Sequence, residues 1–450
     1  MAPGHREKSE HDAAKRYAFI MRRYLVLLFL LLAACGGDPV APASSVPATE
    51  VLASHELSEW KLPMASSAAQ PDLVAAPDGR LLLSWIVAGN GSTHALMFAS
   101  FDGNAWDAPR EIAHGDDWFV NWADTPHIVA TEDGALWAHW LRQSAKAAYA
   151  YDVVLSRSGD GGKTWSPPLA VNDDGTPTEH GFVSLWPQSR ESLGIAWLDG
   201  RNTAGGAHGG HEEHGGGAMT LRVANFDSAL RKSAEIELDP RTCDCCQTDA
   251  AMTSSGPLLV YRDRDGGEIR DIVATRFDRG AWTLPRKVHD DRWKMPACPV
   301  NGPAIAARGT QAWVAWYTAA GDRPNVRVAR SQDGGDSFSA PVELDSGLQV
   351  QGRVGVAVDG ANAWVNWTRE DAGGQSLWLA RYDAVLSKEV ERIEVAKLQG
   401  SGRATGFPQM VAREGAVSLV WTDVIDGKPV LRGARLVAKE DPGISSRAEK

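Results

Sequence analysis

The residues of this 450-residue chain best suited to chemistry are four cysteines, three clustered histidines and a scattered set of carboxylates and arginines. Cys243-Asp244-Cys245-Cys246 and Cys298 offer thiols. Oxidised, four cysteines allow three connectivities, with Cys298 bridging to Cys243 or to one of the adjacent pair Cys245 and Cys246. Reduced, they offer soft thiolates for Cu(I) or Zn(II). His208, His211 and His214 lie in a glycine-rich stretch with Glu212 and Glu213. Imidazoles and carboxylates are ligands for Zn or Cu, and glycine lets three of them converge, although nothing rigid holds them there. Asp124, Glu179, Asp199 and Asp263 are the candidates for general acid–base work. Arg201, Arg262, Arg264 and Arg353 are candidates for gripping a carboxylate, with His127, His180, Gln247 and Asn301 as further polar contacts.

These residues serve one site only if the fold gathers them. A phrase that recurs seven times predicts that it does. Extended apolar runs end in Trp85, Trp140, Trp197, Tyr261, Trp316, Trp367 and Trp421, spaced by roughly 51 to 64 residues, the scale of a four-stranded repeat. In the first unit, Asp72–Ala76 alternates, Pro77-Asp78-Gly79 turns, and Leu81–Trp85 returns, the pattern of an antiparallel hairpin. A third strand is predicted over Ala95–Ser100 and a short outer one around Arg110–Ile112. The last unit has a third strand near Val430–Val437 but no fourth after it, and His55–Trp60 reads like the outer strands of other units. The prediction is an all-β, seven-bladed β-propeller over residues 53–438, its last blade closed by the N-terminal strand.

In such a ring, the starts of the innermost strands and the links from second to third strand share one face. Asp124, His127, Glu179, His180, Gln247, Asn301 and Arg353 fall at the starts, and Asp199, Arg201, Arg262, Asp263 and Arg264 fall in the links. They are therefore expected around a central funnel, where closed β folds gather their binding loops. The cysteines sit at the mouths of the fourth and fifth units. The net charge of −11 and the lack of a basic stripe argue against a nucleic-acid partner.

Residues 1–20 are polar, but Met21-Arg22-Arg23 opens a short apolar run over Tyr24–Leu32 that ends in Ala33-Ala34-Cys35. This is a secretory signal, with Met21 as the expected true start. Leu32-Ala33-Ala34-Cys35 resembles the bacterial lipobox, which implies a lipidated Cys35, removal of residues 1–34 and a tether over 35–52. Gly36 after the cysteine implies an outer-membrane lipoprotein facing the periplasm or the cell surface. Residues 439–450 form a charged tail.

Ser158-Gly159-Asp160-Gly161-Gly162-Lys163-Thr164-Trp165 matches the Asp-box pattern, and Ser331–Phe338 is a relaxed second copy. Degenerate copies end at Trp106 and Trp282. On these motifs the chain resembles the sialidase-like (BNR-repeat) propeller superfamily over nearly all its mature length. The Cys-Asp-Cys-Cys stretch resembles bacterial lipoproteins of the same propeller type. The resemblance implies a glycan or other anionic ligand in the funnel. For a sialidase it implies an arginine clamp, here drawn from Arg201, Arg262, Arg264 and Arg353, an aspartate acid/base, and a tyrosine nucleophile paired with a glutamate. The match is incomplete. Gln70-Pro71 stands where an arginine motif is expected, no tyrosine marks the late strand starts, and seven units replace the family's usual six. The expectation is a lipoprotein that binds, and as an enzyme hydrolyses, a glycan. The alternatives are an extracytoplasmic Cu- or Zn-binding protein using the histidine loop and cysteines, and a non-catalytic envelope scaffold.

Overall fold

The computed structural model describes residues 55–64, 67–203 and 217–439, and they form seven antiparallel sheets arranged as the blades of a propeller. Helical content among the described residues is limited to three short 3₁₀ turns. Blade 1 consists of Ala68–Ala75, Leu81–Ala88, His94–Phe101 and Arg110–Gly115, paired in chain order from the channel outward. Innermost strands Ile128–Ala130, His180–Pro187, Asp249–Thr253, Ala304–Arg308, Val350–Asp359 and Gln409–Arg413 begin blades 2 to 7. Blade 4 departs slightly, since its outer edge is split between Ala281–Trp282 and Arg286–Lys287.

The second strand of each blade is sandwiched between neighbouring sheets. This burial on both faces explains why the recurrent run is continuously apolar and ends in a buried aromatic. His55–Glu59 pairs antiparallel with the last strand, Lys428–Ala438, from His55 opposite Ala438 to Glu59 opposite Ala434. Blade 7 is thus closed by the first strand of the described chain. His55 also reaches blade 6, where its Nδ1 lies 2.8 Å from Glu391 Oε2.

Blade 1 differs from expectation at its first strand, which begins at Ala68 rather than Asp72. Pro71 has no N–H for the ladder, and a bulge between Ala69 and Asp72 absorbs it. Equivalent bulges lie in blade 3 between Gly181 and Ser184 and in blade 6 between Gly352 and Gly355. Each carries a non-glycine residue in the left-handed region: Gln70 at φ 55°, Phe182 at 51° and Arg353 at 53°. In each case the bulged N–H is held by a side chain of the preceding blade, Thr422 Oγ1, Asp124 Oδ1 and Asn301 Oδ1 respectively. Strain at the funnel mouth is therefore secured by contacts between blades.

The Asp boxes stand at the far ends of third strands. Asp160 Oδ1 accepts the N–H groups of Lys163 and Thr164, while Ser158 Oγ accepts that of Gly162. Trp165 meets Phe98 of blade 1 edge-on. Because the same strand starts at Tyr151 and ends at Ser158, roughly 23 Å of extended chain separates the Asp box from the funnel face.

Candidate functional site

A tyrosine stands between a buried carboxylate, Asp124, and a half-buried one, Glu179, where blades 2 and 3 meet. Tyr151 opens the third strand of blade 2, and its N–H donates to the Thr178 carbonyl at 3.1 Å. That bond lays the chain leaving blade 2 alongside the tyrosine, so that Glu179 and Tyr151 form a parallel bridge. The phenol donates to Glu179 Oε1 at 2.6 Å and lies 3.4 Å from Asp124 Oδ2. Phe119 stacks on the ring at 4.0 Å between centroids. A Cβ on Gly181 would come within 1.9 Å of Asp124 Oδ2, so glycine there is what lets the carboxylate approach. Buried His180 fixes the backbone beneath, its Nδ1 lying 3.1 Å from the carbonyl oxygens of Tyr151 and Thr178.

Burial, tempered by the Phe182 amide, pushes the Asp124 carboxyl up to about 7. Burial pushes Glu179 up to about 8, with the Tyr151 hydrogen bond opposing and the charges of Asp124 and Asp244 adding to the rise. Burial, together with the carboxylates of Glu179 and Asp124, raises the Tyr151 phenol well above its ordinary value. Near neutrality Tyr151 and Glu179 therefore keep their protons and Asp124 is divided between its two forms, and protons can pass along a chain of contacts of hydrogen-bonding length.

Asp124 and Glu179 are thus brought together, and the other candidates take separate positions. Asp199 is buried and receives Arg201 Nε and Nη2, both at 2.7 Å. Burial works against its charge, but Arg201 and His180 hold its carboxyl below the ordinary range. His180 Nε2 lies 3.0 Å from Asp174 and 3.7 Å from Asp199. Although Asp174, His180 and Asp199 are spaced for a cation, the Arg201 guanidinium already lies against both carboxylates, 3.5 Å from Asp174. Asp263 is farther along the rim, pushed up to about 6 by burial and Asp239.

The four arginines are engaged within the protein. Arg262 donates to the carbonyls of Asn301, Arg270 and Tyr317 and lies over Trp293. Arg353 donates to Thr405 Oγ1 and the carbonyls of Gly402 and Gly406 and lies over Trp122. Arg264 is paired with Glu268 and Asp244. Arg262 and Arg353 bind blade to blade, whereas Arg264 is paired within blade 4 and Arg201 chiefly within blade 3. Arg403 differs, with an exposed guanidinium 5.8 Å from the Trp122 ring, which itself stacks on Phe407.

Gln247 links three blades, donating to the Ala123 carbonyl and accepting the Gly302 N–H. His127 faces the central cavity of about 560 Å³ with Asp72, Asp124 and Asp249. Burial works against its imidazolium, but Asp72, whose Oδ1 lies 3.2 Å from Nδ1, outweighs that and raises its pKa. At the rim, Cys243 is bridged to Cys246 and Cys245 to Cys298, the second bridge tying the mouth of blade 4 to that of blade 5. His208, His211, His214 and Cys35 lie outside the described residues.

Sequence reasoning passed over Tyr151. Its signal was its place as the first residue of a third strand, directly after one of the links searched for polar groups.

No protein-family model matches the chain, and no curated protein matches its sequence. Solved structures do resemble its fold. A protein of unknown function from Dyadobacter fermentans is 14% identical, with 85% of this chain and 99% of that one covered at a TM-score of 0.50. The polysaccharide lyase Uly1 is 7% identical, with 84% and 92% covered at 0.52. The NanB sialidase of Streptococcus pneumoniae is 8% identical, with 85% and 94% covered at 0.43. At such identities the likeness is one of fold.

Proposed function

We propose that the funnel binds an acidic glycan and cleaves it at Tyr151, Glu179 and Asp124. The observation that carries this reading is the phenol held 2.6 Å from one carboxylate and 3.4 Å from another, both shifted toward neutrality by burial. The reactive form is the one in which the two carboxyls share a single proton and it sits on Asp124: Glu179 then accepts the phenolic proton as Tyr151 oxygen attacks the anomeric carbon, and Asp124 delivers its proton to the departing sugar oxygen. Water then displaces the tyrosine, returning one proton to Asp124 while Glu179 gives the other back to the phenol, so the site is restored. Arg403, exposed beside Trp122, is the guanidinium available to attract the sugar's acidic group. The fold's likeness to a polysaccharide lyase is consistent with carbohydrate as the ligand class.

The test is a panel of sialylated and uronate-containing glycans, read for new reducing ends and, separately, for unsaturated uronate. Hydrolysis without unsaturation is expected. Tyr151→Phe and Glu179→Gln should each lower the rate by at least about 100-fold while circular dichroism stays native. Unsaturated product, or undiminished turnover by Tyr151→Phe, overturns the mechanism. The same proposal sets the propeller on the outer membrane through a lipid on Cys35, supported by Leu32-Ala33-Ala34-Cys35. Cys35→Ser should then move the protein from the membrane to the soluble fraction.

A further inference from the structure

The mouths of blades 4 and 5 carry a second cluster whose chemistry the proton-handling site does not use. The sulfurs of Cys243, Cys245 and Cys246 all lie within 4.8 Å of one another, and that of Cys298 is bonded to Cys245. Thiolates about 2.3 Å from one tetrahedral ion stand about 3.8 Å apart, so the three sulfurs of blade 4 are within reach of one ion, and Cys298, bonded to Cys245, is the nearest fourth ligand. Cys243 and Cys246 have the two-residue spacing common among structural zinc ligands. Both are buried, whereas Cys245 is half-buried and Cys298 exposed, which gives reductant and ion a way in.

A second observation points to sulfur in its anionic form. Arg270, with its side chain 3% exposed, donates from Nη1 to Cys243 Sγ at 3.4 Å. Its Nη2 is paired with Glu268 at 3.0 Å, Asp244 is 3.8 Å away, and its Nε is buried with no hydrogen-bond partner among the described residues. Disulfide sulfur is a weak acceptor for so deeply desolvated a cation. A thiolate is a strong one, and an arginine in this position is the outer-shell donor that a metal thiolate calls for.

We propose that Cys243, Cys245, Cys246 and Cys298 form a redox-gated site for one thiophilic d¹⁰ ion, Zn(II) or Cu(I), with Arg270 as its outer-shell partner. In the oxidised protein the two bridges close the site. Reduction by a dithiol delivers two electrons and two protons to each bridge, the dithiol leaving as its own disulfide. The four thiols then release protons to solvent as the ion binds. The proposal is independent of glycan chemistry, and its readout is retained metal.

The test uses the full chain carrying Cys35→Ser, so that only these four thiols are counted. After anaerobic reduction with dithiothreitol, Zn(II) or Cu(I) is added and excess is removed against a chelator. Elemental analysis should then find about one ion per chain, with the thiols masked to titration until a stronger chelator frees them. The double variants C243S/C246S and C245S/C298S should each lose the ion, and Arg270→Gln should weaken retention by about 10-fold. Joint replacement of His208, His211 and His214 should leave it unchanged. Reduced protein of native circular dichroism that retains neither ion overturns the proposal without any variant. So does retention that survives both double variants, or that vanishes with the three histidines.

Discussion

Tyr151 and its two acids carry a pH signature that separates their role from packing. Glu179 has its carboxyl raised from 4.5 to about 8, and Asp124 from 3.8 to about 7. A carboxyl raised on folding binds its proton more tightly in the native state, so between the unfolded and folded values the native chain holds more protons than the unfolded one. Stability therefore falls as pH rises from about 5 to 8. His127, also raised, acts in the same direction, whereas His139, pushed well below its ordinary value by burial and by the His127 charge, acts oppositely under its unfolded value. Glu179→Gln removes one of these contributions. Its melting temperature, measured at half-unit steps, should fall less steeply than that of the parent over this window. Parallel curves would mean that Glu179 keeps an ordinary acidity and cannot hold a proton for Tyr151. The clamp expected of Arg201, Arg262, Arg264 and Arg353 illustrates the opposite situation. Their positions in the repeat marked them as funnel residues, but Arg201 and Arg264 are taken up by nearby carboxylates and Arg262 and Arg353 by backbone carbonyls of the next blade, which they reach only in the folded ring.

Among the elements, the Asp-box turn is where local chemistry and blade packing meet. Gly162, at φ 84°, lies so close to blade 1 that an added Cβ would stand 2.2 Å from Phe98 Cζ. Gly161, at φ 74° in the same turn, faces open space. Gly162→Ala should therefore destabilise the fold by about 3 kcal/mol, combining backbone strain with a clash between blades. Gly161→Ala should show only the backbone contribution, about 1 kcal/mol. Urea midpoints with unchanged slopes measure both, and equal losses would show that backbone strain in the turn, rather than its seat on blade 1, sets the cost. This element was legible in the sequence because its hydrogen bonds join residues a few positions apart. The tyrosine site was only half legible. Glu179 and Asp124 stood at strand starts, but a bulge that turns the Phe182 amide toward Asp124 and a link that lays Glu179 against Tyr151 are tertiary events. Pro71 and its bulge show the same limit at a strand boundary.

At the scale of the whole ring, one short strand decides whether seven sheets close. The seven recurring aromatics made the ring legible, and the missing fourth strand of the last unit pointed to the N-terminal end, because an unpaired edge demands a partner. His55–Glu59 fills that edge with five paired residues, and His55 meets both Glu391 and the edge of Trp364 in blade 6. Deleting residues 55–59 should therefore do more than remove five residues. It bares the edge of Lys428–Ala438 and withdraws a contact between blades 6 and 7, so the melting transition should drop and broaden, and the chain should associate through the open strand. Size-exclusion chromatography reads the association. Adding a synthetic peptide spanning His55–Leu62 should restore a single sharp transition and the monomeric elution, since a free strand can pair where the tethered one did. A deletion variant that stays monomeric and melts like its parent would show that blades 1 to 6 hold the ring without this closure. The funnel residues drawn from blades 2 to 7 would then owe their convergence to the other interfaces alone.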